Sequence, residues 1–569
     1  MEFDNGIKLA KLQERVTPED FGAIGDGVTD DTVAIQLAIN SGARRIGFGG
    51  LSYLVDIDQL QLASNQTLDG EGATIRTIST TRNRAILVAR NKSRIRIKSF
   101  VFESPNSGQA AILVLGCQKI TVEHCEATNC ALIVTGSSAQ TTNELLAYYP
   151  LYANVTDSNQ CSDIRVLNNT CLGDSTTDVT NIAAVLTTFI YGGTIKNNII
   201  SGYYHGIMWW GGDADPAVNG ALSNTRRANT LFIEGNVCTD IEMGCIWGSM
   251  GTAVHVTDNE CDYSGDVGVD FEGCIDCQAI GNNIRNRANG ALAVGFVNKN
   301  IKFIGNTAQT DLAGAFIVNV FGDTAGGFDN QDIVISDNEI RCLAVGAASI
   351  AGTARFDNLL VNNNRLYNVK VDFGVPFRNL SVTNNQFILT DNMPATFIAV
   401  AFQKFTGNGG PSVVRITGNQ VIAKVRQTNA GVGVYGNVPD SFGPDRYMLV
   451  IEENDFSEIA QGWNLNINDI STSAENLRTV IKNNYIGQNA DPVVNVILSG
   501  NSLIWREGNM YRGNSSPDFP YPYNAPTSGK WFQGERAFTT SPVAGGAIGS
   551  VCVASGAPGT WKAFGAIAV

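Results

Sequence analysis

Charge is scarce in this chain. Of 569 residues only 16% are Asp, Glu, Lys or Arg, against roughly 25% in an average globular protein. Basic residues are the scarcer kind: 39 Lys and Arg face 53 Asp and Glu, a formal net charge of −14. That balance argues against a nucleic-acid partner and against an anionic membrane surface. No run approaches the ~18 consecutive apolar residues of a membrane helix, so no membrane insertion is expected. The start, Met1-Glu2-Phe3-Asp4-Asn5, has no basic stretch leading into an apolar one and does not read as a secretory signal. Histidine is rare, with 3 in the chain, and the lone C-x-x-C, Cys274 with Cys277, lacks a second pair or nearby histidines. No metal and no cofactor are therefore expected.

What replaces charge is neutral polar residues and 60 glycines; 44% of the chain is hydrophobic and the mean hydropathy is −0.01. Such a chain buries a core and is not disordered. Its length would predict several domains unless one architecture grows by repetition. Repetition is present. A phrase recurs in which apolar residues alternate, a polar pair ends in Asn, and an apolar residue follows two places on. Ile195-Lys196-Asn197-Asn198-Ile199-Ile200, Val256-Thr257-Asp258-Asn259-Glu260-Cys261 and Ile481-Lys482-Asn483-Asn484-Tyr485-Ile486 are three copies. The anchors run Asn169, Asn198, Asn236, Asn259, Asn283, Asn306, Asn338, Asn364, Asn385, Asn419, Asn454, Asn484 and Asn509, with degenerate copies at Phe100 and Cys125.

Period-two alternation marks a strand with one face buried. Asn at its end tolerates left-handed backbone and turns the chain. A strand–turn–strand unit recurring every ~23 residues must stack on copies of itself. The expected fold class is all-β, a right-handed parallel β-helix. Cys171, Cys238 and Cys261, each two residues past an anchor, are interior ladder positions where a free thiol acts as a small hydrophobe. That favours folding in a reducing cytosol over secretion. Four regions follow: 1–15 as the stub of a neck, 16–60 as a cap, 61–514 as the β-helix, and 515–569 as a C-terminal β-rich module that is a candidate for trimerisation. In the cap, Thr29 or Asp30 precedes a helix over about 31–41, with Val33, Ile35, Leu37, Ala38 and Ile39 as apolar contacts. Asp26, Asp30 and Asp31 read as turn and cap residues rather than a metal cluster.

The stretch Asp20-Phe21-Gly22-Ala23-Ile24-Gly25-Asp26-Gly27-Val28-Thr29-Asp30-Asp31-Thr32 resembles the opening of the pectate-lyase-like β-helix superfamily. The runs His205–Asp213, Gly244–Gly251 and Asp266–Cys274 look like segments of bacteriophage tailspike depolymerases. The tail, with Gly545–Cys552 and Gly559–Lys562, is similar to the C-terminal piece of many tailspikes. The resemblance spans nearly the whole chain. It implies a homotrimeric spike of the virion tail that binds and cleaves a bacterial surface polysaccharide. A tailspike normally also has an N-terminal virion-anchoring domain, and none is read here, so the expectation is either a truncated chain or attachment to the phage tail through an adaptor protein.

The repeat also serves as a ruler. Eleven residues past an anchor fall Trp209, Trp247 and Asp270, expected to stack on three adjacent rungs. Alternation then turns His205, Ile207, Trp209 and Gly211 outward on the first, Met243, Cys245, Trp247 and Ser249 on the second, and Asp266, Gly268, Asp270 and Glu272 on the third. Gly206, Met208, Gly244, Ile246, Val267 and Val269 are expected to face inward. Tryptophans stack on sugar faces, and paired carboxylates flank a glycosidic bond as acid and as base or nucleophile. Asp270 and Glu272 lead the catalytic candidates, with Asp213 and Glu242 in reserve. Trp209, Trp247, His205, Asp266, Arg226 and Arg227 are the glycan-binding candidates, the two arginines sitting in an insertion over 213–229. Two alternatives stay open. One is a lyase that eliminates across a uronate, using His205, Tyr203 or Tyr204 as base and Arg226 or Arg227 to neutralise the carboxylate. The other is an adhesin that grips glycan without cleaving it.

Overall fold

The computed structural model describes residues 14–106, 108–140, 158–174, 183–214, 227–286, 290–322, 330–375, 377–393, 397–402, 412–423, 427–438, 447–467, 477–486, 503–507 and 510–511. In the C-terminal stretch it describes 525, 527, 533–534, 536–539, 542–556 and 559–569. The chain divides into two compact units, Met1–Thr310 with Phe321–Asp323 and Asp311–Val320 with Thr324–Val569.

The first unit begins with a cap. Helix Thr32–Asn40 buries Ile35, Ala38 and Ile39. Val33 and Leu37, expected as contacts, are exposed instead. They lie four apart on the helix face opposite the buried one, and a helix this short packs on one side. The Asp30 carboxylate accepts the Thr32 N–H at 3.0 Å. Asp31 accepts from the backbone of Ile24 and Gly25, and Asp26 from Val28 and Thr29. The aspartates thus spend their oxygens on local N–H groups. At the other helix end Gln66 Nε2 donates to the carbonyls of Ile39 and Ala43 at 2.8 and 3.0 Å.

Beyond the cap, each coil supplies three strands, and every pairing among them is parallel. One turn runs Ala228–Glu234, Val237–Thr239 and Ile246–Ser249; the next runs Gly251–Thr257, Glu260–Ser264 and Val267–Glu272. The first two strands of each coil join one sheet and the third joins a second sheet. The ladder after the anchors aligns Cys171, Ile200, Cys238, Cys261 and Ile284 as Cα partners, all buried. Burial, with the neighbouring Cys130 and Cys125, pushes the Cys171 thiol upward, as expected for an inert interior position.

The anchor asparagines form a ladder of their own. Asn236 Oδ1 accepts from the backbone N–H and Nδ2 of Asn198 at 2.9 and 2.8 Å, and Asn236 Nδ2 donates to Asn259 Oδ1 at 2.9 Å. The left-handed residue is not the anchor but the one before it: Asn197, Gly235, Asp258, Gly281 and Gly305 have φ of 55, 65, 53, 68 and 64°. The polar pair divides its labour, the first residue turning the chain and the second bonding along the coil. The same rule corrects one anchor. Asn282, not Asn283, carries the ladder between Asn259 and Asn306, because Gly281 takes the turn and Asn283 enters the next strand.

The second unit repeats the plan. Asn338, Asn364 and Asn385 link in sequence, then Asn419, Asn454 and Asn484. Ile340, Leu366, Phe387 and Val421 stack beside them. The expected anchor Asn509 lies outside the described residues. At the C-terminus the pairing changes: Arg536–Phe538, Ala547–Ala554 and Thr560–Ala566 form an antiparallel three-stranded sheet. Among the described residues no helix is long and apolar enough to cross a membrane, and no group of three or more His, Cys, Asp or Glu is arranged to hold a metal.

Candidate active site

Three strands of the second sheet, Ile207–Trp210, Ile246–Ser249 and Val267–Glu272, carry the candidate residues. Trp247 lies opposite Asp270, and Ser249 opposite Glu272. On the rung below, however, Trp247 lies opposite Met208, and Trp209 opposite Gly248. The eleven-residue ruler is one residue out there. Met243 N–H still bonds the Tyr204 carbonyl while Ile246 already pairs with Ile207, so the middle rung has one extra residue, at Gly244. Facing alternates along a strand, so this single residue reverses the lower rung.

The reversal corrects the expected wall. Trp209 points into the coil, fully buried, with its ring 5.6 Å from that of Phe271. It fits because Gly248 has no side chain; a Cβ there would overlap the Trp209 carbonyl and ring. Met208 and Trp210 take the outer face instead. Val267 and Gly244, expected inside, line the outer cleft. Cys245 turns in beside Cys261.

The outer face holds a cleft of about 290 Å³ where His205, Trp210, Asp213, Trp247, Asp266, Asp270, Glu272 and Phe296 converge. This is the small end of the range for ligand pockets. Asp270 is 3% exposed and its Oδ1 has no hydrogen-bond partner among the described residues. Burial, then the neighbouring carboxyls of Glu272 and Asp266, push Asp270 far above the usual carboxylate range. Glu272 is half-buried, and burial together with the charges of Cys274, Asp213 and Asp266 pushes it up to about 8. Asp213 and Asp266 are half-buried at the cleft wall.

His205 is buried, and burial lowers it to about 3, so it is neutral near pH 7. Its Nδ1 accepts the Trp247 indole N–H at 2.9 Å, which places the ring proton on Nε2. The imidazole thereby orients the indole that borders the cleft. Tyr204 packs edge-on against it, ring centres 4.9 Å apart.

Other candidates lie elsewhere. Glu242 is exposed and does not line the cleft. Tyr203 is fully buried, its hydroxyl donating to the Cys130 carbonyl at 2.8 Å. Arg227, expected at the glycan rim, is 3% exposed and turned inward. Its guanidinium donates to Thr252 Oγ1 at 2.7 Å, to the Gly251 carbonyl at 2.9 Å and to the Gly273 carbonyl, tying successive coils together. Arg226 lies outside the described residues. Sequence reasoning missed Trp210 and Phe296. Trp210 was legible as the second half of a Trp–Trp pair, but choosing between the two required the register.

No protein-family model matches the chain, and neither does any curated protein. Solved structures do. An N-terminal fragment of gene product 12 of bacteriophage phi29 is 14% identical with a TM-score of 0.50, covering 84% of this chain and 88% of its own. Tailspike protein 3 of bacteriophage CBA120 is 11% identical with a TM-score of 0.31, covering 100% and 72%. A hyperthermoactive exopolygalacturonase from Thermotoga maritima is 12% identical with a TM-score of 0.27, covering 88% and 92%. At these identities the likeness is one of fold, and the fold of this chain is the right-handed parallel β-helix.

Proposed function

We propose that this chain is a phage tailspike that binds a bacterial surface polysaccharide and depolymerises it by glycosidic hydrolysis in the cleft beside Trp247. The observation that carries the reading is the set of four carboxyl groups, with Asp270 and Glu272 lifted out of the usual carboxylate range, gathered against Trp210 and Trp247. Hydrolysis needs one carboxyl protonated and another ionised. Glu272, half-buried and protonated at neutral pH, is the acid that protonates the glycosidic oxygen. Asp270 is too deeply buried to ionise readily, which argues for Asp213 as the base or nucleophile and for Asp270 as a hydrogen-bonding partner of the sugar. The indole edges supply apolar contact to the ring. Homotrimer formation, a place on the virion tail through the tail or an adaptor, and synthesis in the host cytoplasm belong to the same proposal. They rest on the sequence resemblance.

The placement of three of the five lyase candidates supports hydrolysis over elimination. Tyr203 is sealed in the core, His205 Nδ1 is taken up by Trp247, and Arg227 holds backbone carbonyls. The test is incubation with a panel of purified capsular and O-antigen polysaccharides, followed by mass analysis of the fragments. Fragments carrying one added water at each break support the proposal. Products with the absorbance of unsaturated uronates refute hydrolysis in favour of the lyase, and retention without any cleavage favours the adhesin.

A further inference from the structure

Building on the hydrolase reading, we infer that the sugar unit seated in this cleft is uncharged. The site is built for a hydroxylated or N-acetylated sugar and rejects a unit bearing carboxylate, phosphate or sulfate. Asp213, Asp266, Asp270 and Glu272 all line one space of about 290 Å³, and among the described residues no lysine or arginine lines it. Arg227, which ends the insertion after Asp213, has its donors committed to Thr252, Gly251 and Gly273. His205, the remaining basic side chain at the wall, is buried and neutral. An anionic sugar would enter a confined acidic space with no cation among the described lining residues to pair with, where like charges repel far more strongly than in open water.

A second observation points to what does fit. Asp270 is almost wholly buried, faces the cleft, and keeps Oδ1 without a partner among the described residues. A protonated carboxyl offers one O–H donor and one acceptor oxygen, and a sugar hydroxyl offers the complementary pair. An unmet oxygen in such a place is costly until a ligand supplies its donor. A cationic amino sugar would be attracted to these carboxyls but not cleaved, because a positive charge beside Glu272 would favour its ionised form and remove the proton that cleavage requires.

The experiment uses the full chain carrying Glu272→Gln, which should slow turnover by about 10²- to 10⁴-fold, on an array of purified bacterial polysaccharides of known repeat. Wild-type protein maps the bond that is cut. The expected result is retention of polymers with an uncharged unit next to the cut bond, changing less than about twofold between about 0.05 and about 0.5 M salt. Adding Asp213→Asn and Asp266→Asn together should raise acidic-polymer retention relative to neutral by at least about tenfold, since both repelling charges are then gone. The inference is overturned by cleavage next to a charged unit. It is equally overturned by retention that falls more than about tenfold in salt, or by a selectivity ratio that the Asn pair leaves unmoved. Failure to retain or cut any polymer, with folding intact by circular dichroism, would instead sink the hydrolase reading itself.

Discussion

Replacing Glu272 with Gln tests whether the cleft holds a carboxyl under strain, and it separates stability from activity. Burial and neighbouring charge lift Glu272 from its ordinary value of 4.5 to about 8. Below pH ~4.5 the group is protonated in both folded and unfolded chains and contributes no pH dependence. Above that, the unfolded chain releases its proton and the folded chain keeps it, so stability falls as pH rises from ~4.5 towards ~8 and then levels off. Between pH ~4.5 and ~7 the span is roughly 2.5 pH units at about 1.4 kcal/mol each, or about 3.4 kcal/mol. Glu272 is half-buried rather than sealed, and solvent screening reduces this to about 2 kcal/mol. Gln has no proton to lose. The variant should match wild type at pH ~4.5 and exceed it by about 2 kcal/mol at pH ~7, close to 2 °C in melting temperature for a chain of this length melting cooperatively. Thermal melts followed by circular dichroism at four pH values measure that gap. Depolymerisation should meanwhile fall by about 10²- to 10⁴-fold. A gap that does not widen with pH, or a variant less stable than wild type at pH ~7, would refute the account of the cleft.

Three further predictions use other parts of the structure. The rate of glycan cleavage should drop on the alkaline side with an apparent pKa near 8, the value to which Glu272 is lifted, because deprotonation removes the acid; a flat profile to pH ~9.5 would assign the proton elsewhere. Asn236→Ala should cost about 3–4 kcal/mol in denaturant unfolding. It strips two donors on Asn198 of their acceptor and removes the amide donor to the Ile195 carbonyl, while Asn259 Oδ1 keeps only the backbone N–H of residue 236. Gly248→Ala should destabilise by about 1–3 kcal/mol and perturb the near-ultraviolet signal of tryptophan, since its Cβ would collide with Trp209; an unchanged spectrum would contradict the inward placement of that ring.

The coil was legible because its cause is local and repeated. Each anchor phrase states its own strand, turn and strand, and thirteen imperfect copies outvote any one error; the slip from Asn283 to Asn282 altered a side-chain assignment and left the fold intact. The buried ladder of Cys171, Cys238 and Cys261 followed from the same period. The Trp247–Asp270–Glu272 part of the wall was legible too, because two rungs of equal length preserve spacing. Trp209 was not. Its facing depends on one residue at Gly244, and a glycine inserted in a bend carries no periodic signature.

What the sequence by itself determined, then, is the architecture and the approximate height of the carboxylates along it, since period and composition act within a few residues of one another. What tertiary structure alone decided is the identity and state of the groups that meet. Trp210 replaced Trp209, Arg227 was committed to backbone carbonyls, and Asp270 and Glu272 were lifted by burial and neighbouring charge. Those outcomes depend on register between coils and on exclusion of water. Both arise from residues far apart in the chain, such as Arg227 with Gly273, 46 positions on, and Tyr203 with Cys130, 73 positions back, brought together only when the coil closes.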